Sequence, residues 1–400
     1  MSTMPRIAIL GAGPIGLEAA AAALERGWPF TVYETAARVA DHVRAWGHVR
    51  LFTQWDLNAS PRARRLLADA GQRIPEGEAC PFGRELVDQV LDPLAALPAI
   101  AANLRLGSRV VAVSREGLLK SDAIGDPDRR RRHPFRLLLE TADDEETVEH
   151  ADVVLDCTGS YGNPNTLGDG GIPAPGERRL GERIRRTLPD LEAEAQSWSG
   201  RTVLLAGAGH SAQTAARDFA AFAKRHPGTR LLWAVRSQAP GWGRVAEDPL
   251  PERATLADDS DALAAGASPA VELLRGRIVE AVAPAGDRIA VTLRNGDETT
   301  ETVEVDRVVS LTGYVGDHTL YRQLQIHECY ATSGPMKLAA ALLGDASGDC
   351  LQQVSHGADS LTSPEPDFFL LGVKSYGRKP TFLLRTGWQQ VDEIFGLLAG

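Results

Sequence analysis

Gly11, Gly13 and Gly16 stand in GxGxxG spacing within IAILGAGPIGLEAA, and Gly207, Gly209 and Ala212 repeat that spacing within VLLAGAGHSAQTAA. Between a strand and a helix, the first glycine permits a tight turn and the second lets backbone approach a pyrophosphate. The third lets helix and strand pack closely, a place where alanine is tolerated. Helix N–H groups and the helix dipole then face the phosphates. Pro14 and Ile15 fill the first turn, His210 and Ser211 the second. Glu34 ends the strand after the first turn, where a carboxylate accepts hydrogen bonds from ribose hydroxyls. The second unit supplies Arg236 and Ser237 at the corresponding place, a cation suited to a 2′-phosphate. The pattern predicts two different dinucleotide sites, the second preferring NADPH to NADH.

Such turns need strands and helices to hold them. Arg6 to Leu10 is a continuously apolar run of the kind buried on both faces of a parallel sheet, Leu17 to Arg26 reads as helix, and Phe30 to Glu34 as the next strand. An irregular stretch from Thr35 to Pro81 carries a helical segment near Arg62 to Ala70, and Glu85 to Leu97 reads as another helix. RVVAV, FRLLLE and TVEHADVVLDCTG then form a small β meander that feeds back into the sheet at Val153 to Asp156. The Gly-, Pro- and Asn-rich stretch Gly162 to Glu177 marks a linker.

A second βαβ unit follows in RTVLLAG, a helix over Ser211 to Arg225, and TRLLWAVR. After a Pro/Gly-rich loop (Gln238 to Pro251) and an alanine-rich helical stretch come the strands GRIVEAV, RIAVTLR and VEVDRVVSLTG. The last repeats the grammar of ADVVLDCTG, so Thr158-Gly159 and Thr312-Gly313 read as equivalent crossings between lobes. A buried strand, a loop and a helix from near Pro380 close the chain. The fold class is α/β, with two Rossmann-like doubly wound domains plus a small β meander: residues 1–165 and 306–400, with 166–305 inserted between them.

With 43% apolar residues over 400, the chain can bury ordinary cores without metal or disulfide staples. A formal charge of −10 argues against a nucleic-acid or anionic-membrane footprint and for small-molecule partners. The one dense basic run, Arg129 to Arg132, reads as a solvated loop. Cys80, Cys157, Cys329 and Cys350 show no CxxC spacing, so no metal site is expected and reduced cytoplasmic thiols are. The N-terminus shows no signal peptide, and glycines with Pro14 break the apolar stretch Ile7 to Leu24, so no membrane span is expected.

GAGPIG followed by Glu34, DCTG at Asp156 to Gly159, GIPAPG at Gly171 to Gly176, GAGHSA, and LTGYVGD at Leu311 to Asp317 together carry a resemblance. Over nearly its whole length the chain resembles the two-dinucleotide-binding-domain flavoproteins, and within them the class B flavin and N-hydroxylating monooxygenases. The resemblance implies FAD in the domain of residues 1–165 and 306–400, NADPH in residues 166–305, and Thr-Gly crossings close to both. It adds Val111 and Tyr314 to the cofactor-binding set. Arg38 and Arg44 would neutralise pyrophosphate, and Trp46 would pack or flank the flavin.

Three residues are catalytic candidates. Asn58 would hydrogen-bond the oxygenated flavin, or else be a turn residue before Pro61; His48 would donate a proton, or else be an isolated loop histidine. Lys374, with Ser375, Tyr376, Arg378 and Thr381, lies in GVKSYGRKPTF, which resembles the segment that sets a positive helix end against the flavin pyrimidine, or else is a turn facing water. One departure stands out: ERRLGERIRRTLPDLEAEAQSW, Glu177 to Trp198, has no histidine where flavin-containing and Baeyer–Villiger monooxygenases carry an aromatic-x-Gly-x-x-x-His-Ser type fingerprint. The implied activity is NADPH-dependent monooxygenation of a nitrogen or sulfur of a small metabolite by O2 through a flavin (hydro)peroxide. A reductase of a disulfide, quinone or other acceptor is the alternative, a FAD-binding scaffold or sensor a third, and a homo-oligomer is left open.

Overall fold

The apolar run before the first glycine turn is strand β1 (Ile7–Leu10), buried at every residue in a computed structural model of the chain. The structure describes residues 4–344, 351 and 355–400; Cys350 lies outside them. The remaining strands are β2 (Phe30–Tyr33), β3 (Leu104–Arg105), β4 (Ser108–Arg115), β5 (Phe135–Thr141), β6 (Glu146–Ala151), β7 (Val153–Asp156), β8 (Ile184–Arg185), β9 (Thr202–Ala206), β10 (Arg230–Val235), β11 (Val271–Arg275), β12 (Ile278–Ala285), β13 (Arg288–Arg294), β14 (Thr300–Val305), β15 (Arg307–Ser310) and β16 (Phe368–Leu370).

They form two compact units, one of Met1–Asn163 with Val315–Gly400 and one of Pro164–Tyr314. The first holds a five-stranded parallel sheet in the order β16-β7-β1-β2-β3, and the second one in the order β11-β10-β9-β15-β8. Each also holds a three-stranded antiparallel sheet, β4-β5-β6 and β12-β13-β14, so the meander expected once occurs twice.

Alternation along β1 explains the layering of the first unit. Ile7 and Ile9 join a core with the helices Pro14–Glu25 and Leu384–Ala399, while Ala8 and Leu10 pack with Phe135 and Leu137 of β5. Successive strand residues point to opposite faces, so a run buried throughout needs cover on both. Helices supply one cover and the antiparallel sheet the other.

Several boundaries differ from the sequence reading. VEVDRVVSLTG is two strands broken at Asp306, whose carboxylate accepts the Thr202 N–H at 2.7 Å. The second of them, β15, pairs with β9 and β8, so residues 307–310 belong to the second sheet and not to the first domain. The helix expected over Glu85 to Leu97 is three short pieces with a π turn at Val87–Leu91, just before Pro93. Proline offers no N–H to the carbonyl four residues back, and the backbone widens there. The last helix starts at Leu384, beyond Pro380. β11 lay unread behind the alanine-rich helix Pro251–Ala264.

The basic run is corrected at one residue: Arg129, Arg131 and Arg132 are exposed as expected, but Arg130 is not. Arg130 is fully buried and grips Glu365 through Nε at 3.0 Å and Nη2 at 2.6 Å, while Arg115 Nε reaches the same carboxylate at 2.8 Å. A buried charge persists only when paired and hydrogen-bonded, and this carboxylate satisfies two guanidinium groups at once. Within a largely solvated run, on the short helix Pro127–Arg131 and not on a loop, Arg130 moors the segment to the residues that lead into β16.

Candidate functional site

The first turn assigns each glycine a separate task. Gly11 has φ +95°, and a Cβ there would stand 2.9 Å from the carbonyl oxygen of Cys157, at the end of β7. A Cβ on Gly16 would stand 1.9 Å from the Gly11 carbonyl oxygen, whereas one on Gly13 would meet nothing within 4 Å. Gly13 therefore leaves open space in front of helix Pro14–Glu25, whose start has no side-chain cap. Glu34 is held across this mouth, its carboxylate accepting the N–H groups of Ala12 at 2.7 Å and Ala36 at 2.9 Å. Each oxygen keeps a lone pair for a further donor.

Strand β4 starts from the residue that closes this mouth. β4 begins with Ser108 donating its N–H to the Glu34 carbonyl at 2.8 Å, and its pairing with β5 skips Val111. The residue is the extra one of a bulge, free of the ladder.

At the end of β7, Asp156 is fully buried. It accepts Thr158 N–H at 3.1 Å, Thr158 Oγ1–H at 2.7 Å and Lys374 Nζ at 2.7 Å; Lys374 also reaches Thr158 Oγ1 at 3.1 Å. Thr158 is an exposed residue whose hydroxyl turns inward to the buried ion pair, which fixes the side chain at the end of β7. Lys374 Nζ further lies 5.1 Å from the ring centre of Tyr321, whose phenol bonds His318 and is pushed up in pKa by burial. Burial, reinforced by Asp156, also pushes the neighbouring Cys157 thiol well up.

Ile15 ties these pieces together: it lies within 3.1 Å of where a Cβ on Gly372 would stand and 2.3 Å of one on Gly387. The turn Gly372–Tyr376 and the start of helix Leu384–Ala399 are thereby drawn against the first glycine turn. Gly159 faces Val373. Ser375 is spent internally, donating to Gly372 O at 2.7 Å and accepting from Gln390 at 2.9 Å. Thr381 is buried, and its hydroxyl has no partner among the described residues, just ahead of an uncapped helix start. Open space at Gly13, the carboxylate of Glu34, the bulge at Val111 and this hydroxyl fit a bound dinucleotide.

The second turn repeats the first. Gly207 has φ +134°, and a Cβ there would stand 2.3 Å from the carbonyl oxygen of Leu311 at the end of β15; a Cβ on Gly209 would meet nothing within 4 Å. Leu311 donates its N–H to Ala206 O at 2.9 Å, as Cys157 does to Leu10 O at 2.9 Å. The two Thr-Gly motifs thus hold equivalent places in their sheets. Helix His210–Arg225 also starts without a side-chain cap, with Ser211 exposed and Ala212 buried against the turn. Thr312 Oγ1 donates to Asn165 O at 3.0 Å, Gly313 has φ +89°, and Tyr314 Oη donates to Arg186 O at 2.5 Å.

Register refines the reading of Arg236. Leu10 pairs with Tyr33 and Ala206 with Ala234, so the position of Glu34 is taken by Val235, and Arg236 stands one residue further out. Buried Val235 offers no acceptor to a ribose, while Arg236 and Ser237 are exposed. Arg236 makes no ion pair or side-chain hydrogen bond among the described residues.

The remaining candidates lie in the stretch after the second strand. Asn58 is buried and gives both amide hydrogens to its own loop, to Thr53 O at 2.7 Å and Gln54 O at 2.9 Å, while accepting from Thr53 Oγ1 at 2.9 Å. Arg44 pairs with Asp92 and donates to Val39 O, and exposed Arg38 lies 3.6 Å from Asp41. Trp46 packs over Gly83, its ring centre 6.4 Å from that of Tyr161. His48 sits in a loop laced to Gly83 and Arg84 by two backbone bonds of 2.9 Å. Sequence reasoning missed Asp156 as the partner of Lys374; an acid closing an apolar strand just before Thr-Gly was its available signal.

No protein-family model and no curated protein sequence matches the chain. Solved structures share its fold. Bacillithiol disulfide reductase Bdr from Bacillus cereus superposes with a TM-score of 0.67 at 17% identity, covering 99% of each chain. DfoA, the cadaverine monooxygenase of desferrioxamine biosynthesis in Erwinia amylovora, solved with FAD, gives 0.66 at 14% identity over 100% of this chain and 95% of that one. Ornithine N-hydroxylase KtzI from Kutzneria sp. 744, solved with reduced FAD, NADP+ and ornithine, gives 0.60 at 16% identity over 99% of each. The chain has the fold that these reductases and N-hydroxylating monooxygenases share.

Proposed function

We propose that the unit of residues 1–163 and 315–400 holds FAD, that the unit of residues 164–314 holds NADPH, and that the protein is an NADPH-dependent flavoprotein monooxygenase. The observation that carries this reading is the contrast between two otherwise matched turns. Glu34 is fixed to receive an unphosphorylated ribose, while the second unit replaces it with Val235 and sets an unpaired Arg236 beyond. DfoA and KtzI, which share the fold, were solved with FAD, and KtzI with NADP+ as well.

Bound FAD would accept a hydride equivalent from NADPH and react with O2; the overall change is NADPH, H+, O2 and substrate to NADP+, water and substrate bearing one oxygen at nitrogen or sulfur. The chain's own residues bind and orient. Gly11, Gly13 and Gly16 with the start of helix Pro14–Glu25 receive the pyrophosphate, Glu34 the ribose and the Val111 bulge the adenine edge. Thr158, aligned by Asp156 and Lys374, with Gly159 and Thr381, lines the remainder. Gly207, Gly209, His210, Ser211, Arg236 and Ser237 receive NADPH.

The reductase reading is favoured by the likeness to Bdr. Against a thiol-based version stands Cys157, the thiol nearest the first turn, which burial keeps in its unreactive protonated form. Free thiols at the described cysteines suit a reducing cytoplasm. Among the described residues no helix is long and apolar enough to cross a membrane.

Rapid mixing separates the alternatives. The FAD-loaded protein is reduced anaerobically with NADPH and mixed with oxygenated buffer. A persistent species absorbing between the oxidised and reduced flavin bands is expected; direct reoxidation without one makes the protein a reductase. No reduction by NADPH leaves a flavin-binding scaffold.

A further inference from the structure

Gln213 lies on the first turn of helix His210–Arg225 and is 1% exposed, with every bond of its amide directed inward. Its Nε2 donates to Ala208 O, inside the second glycine turn, at 3.1 Å, and to Trp242 O, in the loop after β10, at 3.2 Å. Its Oε1 accepts from Ser260 Oγ at 3.1 Å, a hydroxyl that shares its one hydrogen with Leu256 O at 2.8 Å and belongs to a residue only 1% exposed. One side chain thus joins the turn, the loop and helix Pro251–Ala264.

The loop it holds is constrained at an unusual residue. Trp242 adopts φ +52° although it is bulky, and it is 4% exposed. Its indole N–H donates to Asp261 at 2.8 Å, and its ring lies 4.7 Å from that of Trp233, whose own N–H donates to Gly207 O at 2.8 Å. A large side chain persists in the left-handed region only where its surroundings over-determine it, and such outliers gather where a functional conformation must be kept. The next residue, Gly243, passes 3.6 Å from His210 Nε2, measured to where its Cβ would stand, so the loop walls the second turn.

We infer that Gln213 and Trp242 form a clasp that fixes the loop beginning at Arg236 against the second glycine turn, making Gln213 a positioning residue for recognition of the 2′-phosphate. This rests on the NADPH reading of that turn. Arg236 and Ser237 are the first residues of the clasped loop, and Arg236 has no ion pair among the described residues to aim it. Its backbone is held at one end of the loop by the Arg277 N–H on Val235 O at 3.0 Å and the Gly276 N–H on Ser237 O at 3.3 Å, and Gln213 secures the same loop further on, at Trp242. In Gln213→Glu a carboxylate faces two carbonyl oxygens and drives the loop away from the turn.

The test measures binding of 2′,5′-ADP and of 5′-AMP to the FAD-loaded full chain by titration calorimetry. Gln213→Glu is expected to weaken 2′,5′-ADP about tenfold and 5′-AMP by about twofold or less, with flavin content unchanged. Ser260→Ala, which removes the hydroxyl that Gln213 Oε1 shares with Leu256 O inside the same helix and leaves the Gln213 amide in place, is expected to weaken 2′,5′-ADP about two- to threefold and decides between the outcomes should Gln213→Glu fail to fold. Equal weakening of both ligands, or none in either variant, overturns the clasp. Failure of the parent protein to bind 2′,5′-ADP instead overturns the NADPH reading on which it rests.

Discussion

Lys374 Nζ stands 2.7 Å from Asp156 Oδ2, with neither side chain exposed to solvent. The partners come from the two separate chain segments of the first unit, and their bond fixes both Thr158 and the turn before the last helix. Removing one partner strands the other charge. Lys374→Met is expected to lower unfolding free energy in urea by about 3–5 kcal/mol, and Lys374→Met with Asp156→Asn by distinctly less, because the second change removes the stranded carboxylate. Equal losses in the single and double variants would show that the pair is not excluded from water.

One open and one closed position of the first glycine turn separate binding from folding. Gly13→Ala meets nothing within 4 Å and should leave the melting temperature of the flavin-free protein unchanged while its flavin content after purification collapses. Gly16→Ala places a Cβ 1.9 Å from backbone and should lower the melting temperature of the flavin-free protein itself. Full flavin retention by Gly13→Ala would remove the first turn from the cofactor site.

Arg236→Ala should act on one nucleotide only. A charge-assisted bond is worth about 2 kcal/mol, so the KM for NADPH should rise about thirtyfold while that for NADH hardly changes. A parallel rise for both would mean that this arginine supports the loop and reads no phosphate.

Thiol reactivity supplies a pH test. Burial, then the nearby Asp156 charge, raises the Cys157 thiol above its unfolded value, with Lys374 opposing, so the folded chain holds its proton more tightly than the unfolded one. The resulting stabilisation is full below the unfolded thiol value of about 8.5 and is lost as pH rises through the folded value. Alkylation followed by peptide mass spectrometry should find Cys157 unmodified at pH 8 and labelled only at strongly alkaline pH or on unfolding. Rapid labelling at pH 8 would reopen a thiol-based reductase.

The parallel strands and glycine turns were legible because their signals are local: apolar runs bounded by glycine, and a carboxylate closing the second strand. What the sequence concealed was non-local. Nothing near Arg130 announces that Glu365 will bury it, and nothing near Lys374 points to Asp156. For Asn58 the sequence left two roles open, and the turn role is the one its bonds match, both amide hydrogens serving its own loop. Arg236 stands out in the sequence, but its offset by one residue from Glu34 needed the strand register.

The first sheet is finished by β16, which joins β7 through the pairing of Phe368 with Val154, whereas every strand of the second sheet lies within residues 164–314. During synthesis the inserted unit has all its strands before the outer one does, and the closing contacts of the outer unit have long sequence separation. A nascent chain that has emerged as far as Tyr314 therefore carries a complete second unit and an incomplete first one, with the free edge of β7 open and Asp156 without its cation until the last segment arrives.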